Sequence, residues 1–284
     1  MPDRDIVRLD DLPAMGPLFA RALVPGPRRT PGIPAQTALV SGHRQDVARL
    51  ARYAGVCGFT LRDNVPPTWL HVLTFPLQVY LLAGPGSTLR LPGMVHVANR
   101  MRLHRPVSVT ESLELRVRAA YLRPHRRGAL VDLIGEVRVA GEVVWDAVST
   151  YLASGVSVPG TPEEADREPF DPVTPLARWR LPSDLGRRYR AVSGDPNPIH
   201  TSQLAARAFG FRRPIAHGMW THARALAALE NRLPGSYAVE VAFARAVPLP
   251  GTVGFTATSQ PDGWAAAVTT KDGAKPHLLL RVTA

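Results

Sequence analysis

Residues 189–220 read YRAVSGDPNPIHTSQLAARAFGFRRPIAHGMW, and the rest of the chain is organised around them. Ser193 to Pro198 (SGDPNP) consists of turn and cap residues, so a helix arriving from Tyr189 or earlier must stop there. Asn197 suits an N-cap, because its side-chain oxygen can accept a free amide hydrogen. Pro198 suits the first helical position, where no donor is missed. The spacing predicts a helix over 198–209, ended by Gly210 with Phe211 as the following apolar contact. His200 then stands in the first turn, where the positive end of the helix dipole lowers its pKa and keeps the imidazole neutral. A carboxylate on the loop, Asp195, and this imidazole can converge on one water molecule, as general acid–base chemistry requires. Read alone, the six residues are explained equally well as a turn and cap, with His200 a surface residue.

A third group follows. Pro214 to Met219 leads into a helix expected to run to about Asn231, with Ala223, Leu226, Ala227 and Glu230 at helical spacing. Gly218 falls at its N-terminus, where backbone N–H groups are free and the missing side chain lets a carbonyl approach. That is what an oxyanion hole needs. His217 and His222 are five apart and miss the i, i+4 spacing of a zinc helix, so no metal is expected. His217 reads as ordering the turn before Gly218.

The order YxxxSGDxNPxH, then AAxxxGFxxPIxHGM, resembles the hydratase 2 motif of the MaoC-like (R)-specific enoyl-CoA hydratases. These are hot-dog proteins, in which an antiparallel sheet wraps a long helix. The resemblance implies an α+β fold, Asp195 and His200 as the catalytic pair, and Gly218 as the amide that polarises a thioester carbonyl. Asn197, Pro198, His217 and Met219 are carried with them as substrate-binding residues. The chain departs from some small members in having Leu226 where they place a serine. The implied reaction is the reversible dehydration of a (3R)-hydroxyacyl thioester, of coenzyme A or acyl carrier protein, to the trans-2-enoyl thioester. Coenzyme A or the carrier protein is then part of the substrate, and no cofactor is expected. A hot-dog thioesterase and a non-catalytic acyl-thioester binding protein are the alternatives.

The formal net charge is +11, and only Lys271 and Lys275 among the 34 basic side chains are lysines. Arginine is the better fork for phosphate. Arg102 and Arg245, at matching strand ends, are candidates for coenzyme A phosphates, although solvated strand termini explain them equally. Basic clusters such as 123–127 (RPHRR) sit at an expected hairpin tip rather than along a helix with interleaved aromatics, so nucleic acid is not an expected partner. No apolar run approaches the roughly 20 residues of a membrane span. The N-terminus lacks an apolar signal core, which points to the cytoplasm. Cys57 is the only cysteine and reads as a small buried hydrophobe, with a reactive thiol as the lesser alternative.

Taken in order, 10–23 can form a short amphipathic helix and 25–34 an extended connector. A strand is expected at 37–40, a helix at 44–54, and an apolar central helix at 73–82 with Pro76 in its first turn. Strands follow at 94–103, 112–122, 129–139 and 143–152, where alternation such as Leu113, Leu115, Val117 against Glu114, Arg116, Arg118 marks a sheet with one wet face. Residues 155–175, rich in proline and acids, read as a linker. The pattern then recurs, with a strand at 177–181, a helix at 184–191, the motif, the long helix, and strands at 237–243, 252–260, 264–270 and 278–282.

The expected organisation is therefore a double hot-dog. Residues 1–154 form a degenerate first domain that accepts the acyl chain, and 176–284 a catalytic MaoC-like domain, the two packed as a pseudo-dimer. The first half has no GDxNPxH, and Leu70-His71-Val72 stands where Ala216-His217-Gly218 would be. A homodimer of such double chains is also allowed.

Overall fold

The computed structural model describes residues 5–23, 30–89, 91, 93–162 and 170–284. Parts of the expected connector at 25–34 and linker at 155–175 lie outside the described residues. The chain begins with β1 (Ile6–Leu9), α1 (Met15–Leu23), β2 (Thr37–His43) and α2 (Val47–Cys57). It continues with α3 (Pro67–Ala83), β3 (Met94–Leu103), β4 (Leu113–His125), β5 (Gly128–Val139) and β6 (Glu142–Ser154). The second run is β7 (Ala177–Leu181), α4 (Leu185–Ser193), a 3-10 turn at Pro198–His200, α5 (Gln203–Ala208) and α6 (Gly218–Ala227). A 3-10 turn at Glu230–Arg232 and the strands β8 (Tyr237–Phe243), β9 (Gly251–Gln260), β10 (Gly263–Thr270) and β11 (Pro276–Thr283) complete it.

Two compact units result: Met1–Gln45 with Asp63–Ala165, and Asp46–Arg62 with Asp166–Ala284. Strand order in the first is β1-β2-β4-β5-β6-β3, and in the second β7-β9-β10-β11-β8. With β1 set aside, both orders are the same: first, third, fourth, fifth, second. The repeat suspected from sequence is thus a repeat of topology. Its consequence reaches α2, which the sequence places in the first half but which packs on α4 and α6 of the second unit.

In the first unit α3 lies against β2, β3, β4, β5 and β6. Its Trp69, Leu70, Leu73, Leu77 and Leu81 are fully buried. Opposite them, β4 turns Leu113, Leu115, Val117 and Ala119 inward. On the outer face of the same strands Glu114 stands across from Arg138 and Arg116 across from Glu136, alternating opposite charges between neighbours.

The central helix starts earlier than expected. Pro67 takes the first-turn position, which tolerates proline, and Pro76 sits in the helix interior, where it leaves one backbone acceptor without its helical donor. The helix is also less apolar than its leucines suggest, because His71, Thr74 and Gln78 are buried along with them. In α2 the bounds shift toward the C-terminus, since the Asp46 side chain accepts the Arg49 amide and Gly58, at φ +82°, closes the helix. In the second unit α6 lies against β10 and β11. It is shorter than expected, ending at Ala227, and a separate 3-10 turn follows. No helix among the described residues is long and apolar enough to cross a membrane.

Candidate active site

The site begins at the end of α4. Gly194, at φ +78°, takes the left-handed conformation that ends this helix, and its N–H bonds to the Arg190 carbonyl. The chain then bends through an Asx turn: the Asn197 amide donates to Asp195 Oδ1 at 2.9 Å, and the Asp195 amide to Ser193 Oγ at 3.2 Å. These bonds leave Asp195 Oδ2 as the less engaged oxygen. The carboxylate is 19% exposed. Burial pushes its pKa above the ordinary aspartate value, while His200, the Asn197 amide and Arg190 pull it back.

Asn197 caps as expected, its side-chain oxygen accepting the Ile199 amide, and Pro198 opens the turn. The single helix expected over 198–209 is, however, divided. A 3-10 turn ends at His200, and Ser202, in an extended conformation, starts α5 by accepting the Ala205 amide. A serine in a helix-like run is itself a cap candidate, and that local bond wins over continuation. Gly210, at φ +84°, is left-handed as expected.

His200 is 8% exposed. Its pKa is lowered, chiefly by burial and against the raising effects of Asp195 and the Ile215 carbonyl. The direction is the expected one, but desolvation rather than a helix dipole is the leading cause. His200 Nδ1 lies 2.8 Å from the Ile215 carbonyl oxygen. A carbonyl can only accept, so Nδ1 carries the proton, and in the neutral ring Nε2 is left with its lone pair.

Ile215 and its neighbours are held as an extended strap. The Ile215 amide bonds to the Ile199 carbonyl, the Ala216 amide to Val247, and the Leu249 amide to the Pro214 carbonyl. The strap delivers His217 as the N-cap residue of α6 and Gly218 as its first residue, where no preceding helical carbonyl faces the N–H. A Cβ on Gly218 would come within 3.1 Å of the Phe243 ring. A side chain there would fit only if the Phe243 ring gave way.

His217 is 3% exposed. Its ring stacks on His200, with 3.6 Å between centroids and 25° between planes, and tilts against Tyr189 at 4.9 Å. Its Nε2 is 3.8 Å from Asp195 Oδ2, and neither ring nitrogen has a hydrogen-bond partner among the described residues. Burial holds its pKa well below the ordinary value, helped by His200 and Arg190.

Asp195, His200 and His217 each offer one donor atom within 4.8 Å of the others, a set that a transition metal could use. The ring geometry does not fit one. A ligating imidazole keeps the metal in its own plane at about 2.0–2.1 Å from nitrogen, and two nearly parallel rings stacked face to face have no such common point.

The other expected residues are dispersed. Met219 is buried in α6. Arg245 is exposed just after β8, two residues before the Val247 carbonyl that holds the strap. Arg102 belongs to the first unit, exposed on β3 opposite Asp146. Leu226, at the position of the serine of some small hydratases, is fully buried. Cys57 is buried too, and burial raises its thiol pKa far above the ordinary value, which makes it a packing residue.

Two neighbours escape sequence reading. Gly186 in α4 has no room for a side chain, since a Cβ would lie 1.9 Å from the His200 carbonyl oxygen. Arg49 in α2 donates from Nε to the Val192 carbonyl at 2.7 Å and from its NH2 group to Ser193 at 3.2 Å. A glycine inside an expected helix is a weak local signal of close approach. Nothing local marks Arg49.

The MaoC-like domain family matches residues 160–274, which include every element of this site except α2. A 3-hydroxyacyl-thioester dehydratase X of Mycobacterium tuberculosis is 38% identical over 264 residues, covering 93% of this chain and 94% of that protein. The chain belongs to the MaoC-like dehydratase family. Among solved structures of MaoC-like proteins, HtdX of Mycobacterium tuberculosis matches with a TM-score of 0.78 and 37% identity, over 87% of this chain and 98% of that one. A second protein of that organism, described as having a double hotdog fold, matches with a TM-score of 0.52 and 15% identity over 95% and 98%, a likeness of fold alone. This MaoC-like chain is thus an α+β double hot-dog, as its strand order already shows twice.

Proposed function

We propose that this protein is a 3-hydroxyacyl-thioester dehydratase, interconverting a (3R)-hydroxyacyl thioester with the trans-2-enoyl thioester and water. The observation that carries the reading is the proximity of Asp195 to a His200 whose tautomer is fixed by the Ile215 carbonyl. With Nδ1 protonated, His200 presents a lone pair at Nε2, and Asp195 presents a carboxylate oxygen. Asp195 and His200 each have a ligand-capable atom within 4.8 Å of the other, close enough for one water to donate a hydrogen to each group, because two hydrogen bonds of about 2.8 Å span a gap of that order. The water oxygen then has its lone pairs free for C3. In hydration it bonds to C3, one proton passes to the pair, and one proton is delivered to C2. In dehydration the C2 proton is taken by the pair, the C3–O bond breaks, and the hydroxyl leaves protonated as water.

Charge develops on the thioester oxygen as C2 loses its proton, and the Gly218 N–H is the group assigned to meet it. Asn197, Pro198, His217 and Met219 surround these groups in sequence and are assigned to substrate contact. Arg102 and Arg245 are assigned to the phosphates of the carrier, coenzyme A or the prosthetic arm of a carrier protein. The chemistry requires only proton transfers and an oxyanion donor, so no cofactor enters. The first unit, which keeps a buried central helix and places His71 inside it rather than at its N-cap, is assigned the acyl chain. A cytoplasmic location belongs to the same reading.

The test is enoyl-CoA absorbance with free-thiol release followed in parallel. Loss of absorbance without thiol is expected from the wild type. Asp195→Asn and His200→Ala should each lower kcat by about 10²–10⁴-fold while remaining folded. Thiol release would establish a thioesterase instead, and near-normal turnover in either variant would remove the assignment.

A further inference from the structure

Helix α4 ends one residue before Gly194, and its last carbonyls therefore set where Asp195 begins. The last carbonyls of a helix have no partner within it and must be satisfied from outside. Here two of them, Val192 and Ser193, are taken by a single side chain from far away in sequence. Arg49 Nε reaches Val192 at 2.7 Å and the NH2 group reaches Ser193 at 3.2 Å, across 143 and 144 residues. The fork matters, because the rigid guanidinium plane fixes two carbonyls relative to each other, which one ammonium does not. Arg49 is itself fixed at its base, since the α2 N-cap Asp46 accepts its amide at 2.9 Å.

We infer that Arg49 is a positioning residue for the Asp195 carboxylate, its guanidinium holding the end of α4 so that the Gly194–Asp195 turn presents the carboxylate to His200. The inference rests on the function proposed above. Arg49 acts through backbone geometry: the charges that move the Asp195 pKa are those of His200 and Arg190. A loosened α4 end should therefore misplace the carboxylate, and misplacement costs turnover more than ground-state binding.

The same α2 segment has a second anchor that serves as a control. Thr60 Oγ1 donates to Glu230 at 2.5 Å, beyond the far end of α6. Arg49→Lys is compared with Thr60→Ala and wild type in the hydration assay, with kcat and KM determined separately, together with thermal unfolding. Arg49→Lys is expected to lower kcat at least tenfold with KM within about threefold. Thr60→Ala is expected to keep kcat within about twofold at a comparable loss of thermal stability. In an Asp195→Asn background, Arg49→Lys should bring no further loss.

Wild-type kcat in folded Arg49→Lys overturns the inference. So do equal kcat losses in the two variants, or a further loss from Arg49→Lys in the Asp195→Asn background. If Arg49→Lys fails to fold, Arg49→Gln, which keeps a single donor nitrogen in place of the guanidinium fork, carries the same comparison. An inactive wild type would instead defeat the functional reading itself.

Discussion

At the scale of single residues, burial is the force that sorts the histidines. His200, His217 and His71 all lose water and are all held below the ordinary imidazole pKa, yet only the first two stand beside a carboxylate. His71, fully enclosed in the first unit, is pushed down to about 4. Its folded pKa lies below its unfolded one, so the folded state binds fewer protons and the stabilising difference is fully present above pH 6.5. That difference is lost as pH falls towards 4, and it amounts to about 3 kcal/mol. His200 and His217 act in the same direction. Asp195, whose pKa is raised, acts in the opposite one: its contribution is present at low pH and lost as pH rises through its folded value. Urea unfolding at pH 7 and pH 4.5 should show a marked loss of stability in the wild type. His71→Phe should lose less across the same interval, and an equal loss in both would mean that His71 does not titrate as described.

At the scale of elements, α4 is the spacer between the two groups assigned to the proton transfers. Its C-terminus feeds Asp195, and its Gly186 lies against the His200 carbonyl, leaving no space for a methyl group. Alanine is intrinsically better than glycine in a helix by up to about 1 kcal/mol. Against a fixed backbone oxygen at 1.9 Å, however, the added carbon must drive α4 and the 3-10 turn apart, and overpacking typically costs 1–3 kcal/mol. Gly186→Ala should therefore lower both the unfolding midpoint and kcat, by at least tenfold for kcat; a more stable, fully active variant would remove the spacer role.

Much of the element plan was legible in the chain. β3, β7 and β8 have the expected bounds, because alternating apolar residues and breaking turns are both local signals. The Asp195-to-His200 turn was legible for the same reason, since cap and turn residues act on their own backbone. The division of 198–209 was missed because Ser202 lies in an otherwise helical pattern and only its cap bond to Ala205 reveals a new start. Arg49, Gly186 and the Ile215 carbonyl were missed because their roles exist only once distant segments meet.

At the scale of the whole molecule, the second unit is not a continuous piece of chain. Residues 170–284 alone lack α2, and with it the Arg49 clamp, the Val56 carbonyl that accepts from Trp220 Nε1 at 3.0 Å, and the Thr60 contact with Glu230. They also lack Tyr53, whose ring stands 6.2 Å from that of Tyr189. Such a fragment should aggregate or remain inactive in the hydration assay; a soluble, monomeric, active fragment would show that α2 is dispensable. The interleaving also bears on how the protein is made. Arg49 leaves the ribosome 143 residues before Val192, an interval of roughly 7–30 s at ordinary elongation rates. Throughout that wait the inner face of α2, with Leu50, Tyr53, Ala54 and Cys57, lacks the cover that α4 and α6 supply. A nascent chain stalled within the linker would therefore hold an amphipathic helix whose apolar face awaits α4 and α6, and that is the moment at which chaperone capture should matter most.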